Sequence, residues 1–314
     1  MSGPILLTGG TGMVGRNVRD LAAERGIALV APSHAELELR DAGAVLAFVR
    51  ATAPSLVIHT AGKVGGIQAN MREPVAFLTD NLDMGRNVVM AARAAGVTRL
   101  INLGSSCIYP KDSPHLLAEG DLLAGPLEPT NEAYAIAKIA VQRLAAYVGE
   151  EDARFQYKTL IPCNLYGRYD TFDPKRSHLA AAVIDKLHRA KVDGNGSIDI
   201  WGDGSARREF MYAGDLADVI LTAAARYDSV PPVMNVGVGV DHSVDEYYHA
   251  AAEAIGYTGT FRHDLGKPVG MKQKLMDVGL ARRWGWTAKT SLRDGLAKTY
   301  RFYLADKARV QPAG

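Results

Sequence analysis

Ser105, Tyr134 and Lys138 are the residues whose types and spacing suggest chemistry. Ser105 opens the run Ser105-Ser106-Cys107-Ile108-Tyr109-Pro110, and the other two stand in Tyr134-Ala135-Ile136-Ala137-Lys138. A tyrosine and a lysine four apart share one face of a helix, one turn apart. A lysine ammonium held there favours tyrosinate and is expected to lower a phenol pKa that ordinarily lies near ~10. A serine hydroxyl at a strand end can then hydrogen-bond the carbonyl or alcohol that reacts. This is the working group of a hydride-transfer enzyme, given a nicotinamide beside it. Tyrosine and lysine at this spacing are also common on plain exposed helices, so the reading depends on the elements that position them.

The first of these elements is at the start of the chain. Pro4-Ile5-Leu6-Leu7-Thr8 predicts a short strand and runs into Gly9-Gly10-Thr11-Gly12-Met13-Val14-Gly15, followed by a helical stretch to Arg25. Gly9, Gly12 and Gly15 allow a tight turn, close approach of backbone to a pyrophosphate and close helix–strand packing. The whole loop, with Met13 and Val14, is the expected cofactor cradle. A second strand, Ile27–Ala31, ends in Pro32-Ser33-His34-Ala35-Glu36, without the acid that often holds a ribose 2′-hydroxyl in NAD sites. Ser33 and His34 can meet a 2′-phosphate, although no arginine stands there, and Ser33 serves equally well to start a turn. The expectation leans to NADP(H) and leaves NAD(H) open.

Leu56–His59 and Arg99–Leu103 are further strand-like runs, each after a helical stretch. The alternation predicts an α/β fold, a Rossmann-type doubly wound parallel sheet. Ligands in such sheets sit beyond the carboxyl ends of the strands. The features at those ends are the glycine loop, Ala61-Gly62-Lys63-Val64-Gly65-Gly66 and Ser105–Cys107. A fourth run, Lys158–Ile161, brings Pro162, Cys163, Asn164 and Leu165 to the same edge.

After Gly167 the regularity loosens. Residues 168–177 read as a polar loop, Leu179–Arg189 as a helix and Ile198–Gly202 as a strand that sets Trp201 near Arg207 and Arg208. An aromatic with arginines suits a guanine ring and a diphosphate. A core tryptophan beside surface arginines would look the same in sequence. A helix over Asp215–Arg226 and a strand over Val233–Val236 return to the sheet. The expected division is a dinucleotide-binding domain of residues 1–167 and about 213–239, and a smaller interleaved substrate-binding domain of about 168–212 and 240–314.

Composition excludes several classes. The 314 residues carry a net charge of +2, too small to indicate nucleic acid or an acidic membrane. The two cysteines, Cys107 and Cys163, form no CxxC or Cys/His cluster, so no metal site is expected. No apolar stretch approaches the ~20 residues of a membrane span, and the start lacks a signal-like segment. The expected location is the cytoplasm.

Taken in order, T-G-G-T-G-M-V-G, S-S-C-I-Y-P, N-E-A-Y-A-I-A-K and N-L-Y-G resemble the extended short-chain dehydrogenase/reductases that act on nucleotide sugars. Within them, K-V-G-G-I (63–67), G-S-S-C-I-Y-P (104–110) and E-P-T-N-E-A-Y-A-I-A-K-I (128–139) are similar to the GDP-L-fucose synthase family. The similarity continues through S-H (177–178), W-G-D-G (201–204), R-R-E-F (207–210), N-V-G-V-G (235–239) and K-L-M-D-V (274–278).

The resemblance implies a 3,5-epimerase and 4-reductase acting on a GDP-linked 4-keto-6-deoxy sugar, with Ser105, Tyr134 and Lys138 as its reductase triad. It implies that Cys107 and His178 handle the protons at C3 and C5, and that Lys138, Pro162, Asn164, Leu165 and His178 also meet the cofactor. Lys186, Trp201, Arg208 and Asp277 fall where the family holds the GDP-sugar, and a homodimer through the Tyr134 helix and its neighbour is implied too. The chemistry is coherent, because a 4-keto group acidifies the hydrogens on C3 and C5. A thiol (~8.5) and an imidazole (~6.5) titrate in a useful range for moving them. By its residue type alone, Cys107 reads as a small buried hydrophobe; beside Ser105 and inside the family motif it reads as catalytic.

Dehydratases of the superfamily carry an Asp-Glu pair where this chain has Ser106-Cys107, which argues against that reaction. Two other readings remain at this stage. One is the same chemistry on another GDP-4-keto sugar, a colitose or heptose precursor, and the other is a non-catalytic dinucleotide-binding module.

Overall fold

The computed structural model describes residues 3–113, 115–173, 177–266 and 272–310. Its centre is a six-stranded sheet in which every neighbouring pair is parallel. Five of the strands are β1 (Ile5–Thr8), β2 (Leu29–Val30), β3 (Leu56–His59), β4 (Arg99–Leu103) and β5 (Gln156–Pro162). Between β5 and the last sheet strand, β10 (Val233–Val236), come β6 (Asn164–Tyr166), β7 (Ser197–Trp201), β8 (Arg207–Arg208) and β9 (Phe210–Tyr212). The order across the sheet is β10-β5-β4-β3-β1-β2. The chain runs outward from β1 to β2, then crosses back to β3 on the other side of β1. The crevice for a ligand in such a sheet opens where the order reverses.

Strand side chains alternate between the two faces, and the sequence exploits this. Leu6, Val57 and Leu100 pack beneath α2 (Ala42–Thr52), α4 (Pro74–Ala94, preceded by the short α3, Ile67–Arg72) and α5 (Glu132–Glu151), through Val45, Val88 and Val141. Their neighbours Leu7, Ile58 and Ile101 face α1 (Met13–Glu24) and α7 (Ala213–Ala225), through Val18 and Leu216. Both faces are covered, so each strand reads as a near-continuous apolar run. Helices α4 and α5 approach closely because Gly85 has no side chain; a Cβ there would lie 2.4 Å from Val141 Cγ2.

The expected second strand is shorter than its sequence run. Ile27 N–H donates to Ala22 O (2.8 Å) and so finishes helix α1, which leaves only Leu29 and Val30 to pair with β1 at the sheet edge. The helix expected from Asp215 begins at Ala213, and the one expected to end at Arg189 continues to Val192 as α6 (Leu179–Val192).

A second core gathers Tyr166, Ile184, Leu187, Ile200, Phe210 and Tyr247. It is built from α6, β7 and α8 (Val244–Ile255), with the last helix, Leu292–Val310. Helix α8 opens on a capping box in which Glu246 N–H donates to Ser243 Oγ (3.1 Å) and Ser243 N–H to Glu246 Oε2 (2.6 Å). Here β8 lies between β11 (His242–Ser243) and a strand at Gln273–Lys274, while β7 pairs with a strand at Thr260–Asp264. Residues Met276 to Trp286 pack back onto the first core. Among the described residues no helix is long and apolar enough to cross a membrane.

Candidate active site

The glycine loop is shaped by contacts that exclude side chains. Gly9 has φ +77°, and a Cβ on it would lie 2.5 Å from Ala61 N at the end of β3. A Cβ on Gly15 would lie 2.1 Å from Gly9 O. Gly12 N–H closes the turn onto Gly9 O at 3.1 Å, and α1 then starts at Met13 with no side chain capping its first turn. Amides at an uncapped helix start, at the sheet's switch point, fit a dinucleotide diphosphate. Gly9, Gly12, Met13, Val14 and Gly15 thus all stand at this cradle. Ser33 and His34 are already engaged: Ser33 N–H donates to Glu36 Oε2 (2.7 Å), and His34 Nε2 lies 3.4 Å from Glu38 Oε2. On the far strand end, Asn164 Nδ2 donates to Glu209 O (3.0 Å), which fixes the turn from Pro162 to Leu165.

The triad assembles at the end of β4. Gly104 N–H donates to Leu160 O (2.9 Å), aligning β4 with β5, and Ser105 then starts a 3-10 turn over Ser106–Ile108. The Ser105 hydroxyl accepts from Cys107 N–H at 3.5 Å, and it stands close enough to the phenol of Tyr134 to oppose the rise of its pKa. One hydroxyl therefore stands between the reductase group and the residue that carries the thiol. On α5, Lys138 Nζ donates to Leu103 O (3.1 Å) and lies 5.8 Å from the Tyr134 ring centre.

The expected lowering of the Tyr134 pKa is not what this arrangement produces. Burial pushes the phenol up, the nearby Cys107 adds to that, and only the Ser105 hydrogen bond opposes it. Lys138 is itself stripped of water, and burial pulls its pKa down to about 8. A desolvated tyrosine stays protonated near neutrality, which suits a proton donor in a reduction. Beneath the lysine, the buried His59 has its pKa pulled down to about 3 by burial and by the Lys138 charge, with its Nδ1 2.7 Å from Thr8 Oγ1.

Cys107 is buried, and burial raises its thiol pKa, against the opposing pull of Lys274, the Ser105 hydroxyl and Lys138. Cys163 is driven higher still by burial and by Glu209, and its Sγ donates to Asn164 O (3.3 Å); it fills space beneath the site. His178 stands at the start of α6, open to solvent on one side, yet surrounded enough that desolvation lowers its pKa. The loop after β3 reaches this point, since a Cβ on Gly66 would lie 3.6 Å from Ser177 O.

The four residues expected at the sugar nucleotide fall on two supports. Lys186, on α6, donates from Nζ to Asp199 O in β7, the strand that ends at the exposed Trp201, so β7 supports both. Arg208 and Asp277 belong to the other. Trp201 and the Arg207–Arg208 pair, neighbours in sequence, stand in different small sheets, because β7 pairs with 260–264 and β8 with 242–243 and 273–274. The Asp277 carboxylate accepts Gly279 N–H (2.7 Å), and Asp277 N–H donates to Leu117 O (2.9 Å).

Lys274 is the residue that sequence reasoning missed. It pairs in register with Arg208, and burial lowers the pKa of both side chains. Parallel partners project to the same face, so two desolvated cations stand side by side, with Cys107, Cys163 and Glu128 as nearby acids. In sequence, Lys274 is only the first letter of K-L-M-D-V, on a two-residue strand too short to show a period.

Comparison with known proteins agrees with this geometry. Residues 5–237 match the NAD dependent epimerase/dehydratase family. A GDP-L-fucose synthase of Azorhizobium caulinodans is 49% identical over 96% of this chain and 96% of its own length. A GDP-L-colitose synthase of Yersinia pseudotuberculosis is 46% identical over 96% of this chain and 98% of its own. The crystal structure of a GDP-L-fucose synthetase from Naegleria fowleri bound to NADP superposes with a TM-score of 0.88 at 25% identity, covering 98% of this chain and 94% of that one.

Proposed function

We infer that this chain, which belongs to the NAD-dependent epimerase/dehydratase family, carries out the NADP-dependent 3,5-epimerisation and 4-reduction of a GDP-4-keto-6-deoxyhexose, giving GDP-L-fucose. The observation that carries the reading is the Ser105 hydroxyl, which accepts the Cys107 N–H and stands beside the Tyr134 phenol, holding its pKa down against burial. A single ketone oxygen held there is polarised for two jobs: enolisation towards C3 or C5, and reduction at C4. The bound nicotinamide supplies the hydride.

Epimerisation comes first, while the ketone still acidifies its neighbours. A proton leaves the carbon on one face, the Ser105 and Tyr134 hydroxyls stabilise the enolate oxygen, and a proton returns on the other face. Cys107, held protonated by burial, and His178, held neutral by desolvation, together carry one transferable proton and one open acceptor site. That is the exchange an epimerisation requires. Tyr134 then protonates O4 as C4 is reduced, and Lys138 orients the cofactor ribose and replenishes the tyrosine's hydrogen-bond network. Lys186, Trp201, Arg208 and Asp277 bind the GDP-sugar, with Lys274 adding a second cation beside Arg208. The cofactor-binding part is residues 1–167 and about 213–239, and the sugar-nucleotide part about 168–212 and 240–314.

Two chains pair through α4 and α5, whose exposed Met90, Ile136 and Tyr147 support such a face. The enzyme works in the cytoplasm. A second reading keeps the mechanism and changes the sugar to a colitose precursor, favoured by the 46% identity to the Yersinia protein.

The test is NADPH oxidation with GDP-4-keto-6-deoxymannose, repeated with NADH and with a GDP-4-keto-3,6-dideoxy sugar, and product configuration read by NMR. Turnover of the first sugar with inversion at C3 and C5 is expected. Turnover of the dideoxy sugar alone selects the second reading, and none with any sugar leaves a binding module.

A further inference from the structure

We propose that Arg19, assisted by Arg16, holds the ribose 2′-phosphate of NADP(H), so that helix α1 rather than the end of the second strand sets cofactor preference. This rests on the NADP reading given above. Arg16 and Arg19 are three apart on α1, both exposed, and both line a groove of about 600 Å³ with Ala23, Leu29, Ala31 and Tyr169. The groove therefore runs from the helix to the end of β2.

Arg19 reaches back over the glycine loop. Its Nη1 lies 3.4 Å from Gly10 O, and a Cβ on Gly10 would lie 3.0 Å from the Ala31 Cβ and 3.5 Å from Arg19 Cδ. The guanidinium thus stands where the first loop meets the second strand end, the position at which this fold presents the adenosine ribose. The Arg16 guanidinium stacks 3.8 Å from the centre of the Tyr169 ring, which leaves its in-plane N–H groups free for an anion.

Charge bookkeeping in the groove agrees. The one carboxylate that lines it, Asp20, is held elsewhere, by Arg168 at 3.2 Å and the Tyr169 hydroxyl at 2.8 Å. Among the described residues neither Arg16 nor Arg19 has an ion-pair partner. By contrast, Ser33 and His34 bring two carboxylates with them, Glu36 and Glu38, which repel a phosphate dianion. Ala31, where an NAD-selective chain places its acid, offers a 2′-phosphate no repulsion.

Direct titration calorimetry of NADP⁺ and NAD⁺ tests this on the intact protein and on Arg19→Ala, Arg19→Gln, Arg16→Ala, the double alanine variant and His34→Ala. Both arginines are exposed, and the glutamine variant keeps the stem that packs on Gly10. The expected result is NADP⁺ affinity lower by about ten- to a hundredfold in either Arg19 variant, with NAD⁺ affinity within about twofold of the parent. The double variant should bind the two cofactors alike. The parent's preference should also shrink as salt rises. Unchanged NADP⁺ preference in the double variant, its loss in His34→Ala instead, or equal weakening of both cofactors would each overturn the assignment. A parent protein without preference overturns the NADP reading, and this assignment with it, before any variant is made.

Discussion

Lys138 Nζ donates a 3.1 Å hydrogen bond to the carbonyl oxygen of Leu103, the last residue of β4. The bond fixes the lysine of one helix against the strand end that carries Ser105, and so sets the spacing of the triad. It also places an ammonium where water does not reach, and its pKa falls to about 8.

The rate should therefore depend on pH through this group. Below about 8 Lys138 is charged and can hold the cofactor ribose; as pH rises through that value the charge is lost and kcat/KM for NADPH should fall. Arginine keeps its charge across this range. The residual activity of Lys138→Arg, lower in magnitude, should show no limb near pH 8 in the same profile. A limb at the same pH in the variant would assign the titration to another group.

Tyr134→Phe and Cys107→Ser should separate the two halves of the reaction. Removing the phenol takes away the proton for O4, and reduction should drop by about 10²–10⁴. Solvent deuterium should still enter C3 and C5, because Ser105 still polarises the ketone. Cys107→Ser should do the reverse: deuterium incorporation falls by a similar factor, and NADPH binding is retained. Full turnover in Cys107→Ser would remove the thiol from the mechanism.

The parts of this protein that were legible in its sequence are those where one residue pattern suffices. Leu6-Leu7, Val57-Ile58 and Leu100-Ile101 are buried on both faces, so β1, β3 and β4 appear as unbroken apolar runs between glycines and polar turns. The glycine loop is legible because its spacing follows from contacts that admit no Cβ. Charges and short strands were not legible. The Tyr134 pKa depends on how much water surrounds the phenol, which four-residue spacing cannot show. Arg207–Arg208, His242–Ser243 and Gln273–Lys274 are strands of two residues each, held by their partners rather than by any period. Hence Lys274 went unnoticed, and the separate sheets that hold Trp201 and Arg207–Arg208 left no mark in the sequence.

Lys274 should be sensitive to replacement for a reason that can be separated from folding. Lys274→Met removes the cation beside both Cys107 and Arg208. With that pull gone the thiol is raised further, so the alkaline fall in C3 and C5 deuterium exchange, where Cys107 loses its transferable proton, should move to higher pH. The KM for the GDP-sugar should increase by about tenfold or more as one cation of the pair is lost. Lys274→Arg should restore much of the KM. A raised KM with an unshifted exchange profile would confine the lysine to substrate binding.

Glu209 tests how the substrate cleft is held together. It is 1% exposed, and its carboxylate accepts the N–H groups of Val238 (2.7 Å), Gly239 (2.8 Å) and Met276 (3.1 Å). Those bonds join the turn after β10 to the segment carrying Lys274 and Asp277, and they offset the desolvation that raises the carboxyl's pKa. In Glu209→Gln one oxygen becomes an NH₂, which faces Met276 N–H or the Val238–Gly239 turn donor to donor. The loss should be about 2–3 kcal/mol, read as a lower urea midpoint at unchanged slope. Because the altered bonds end beside the sugar nucleotide and not beside the glycine loop, the KM for the GDP-sugar should rise while the Kd for NADPH stays put. A variant that weakened both ligands equally would mean that Glu209 braces the whole sheet edge rather than the substrate side.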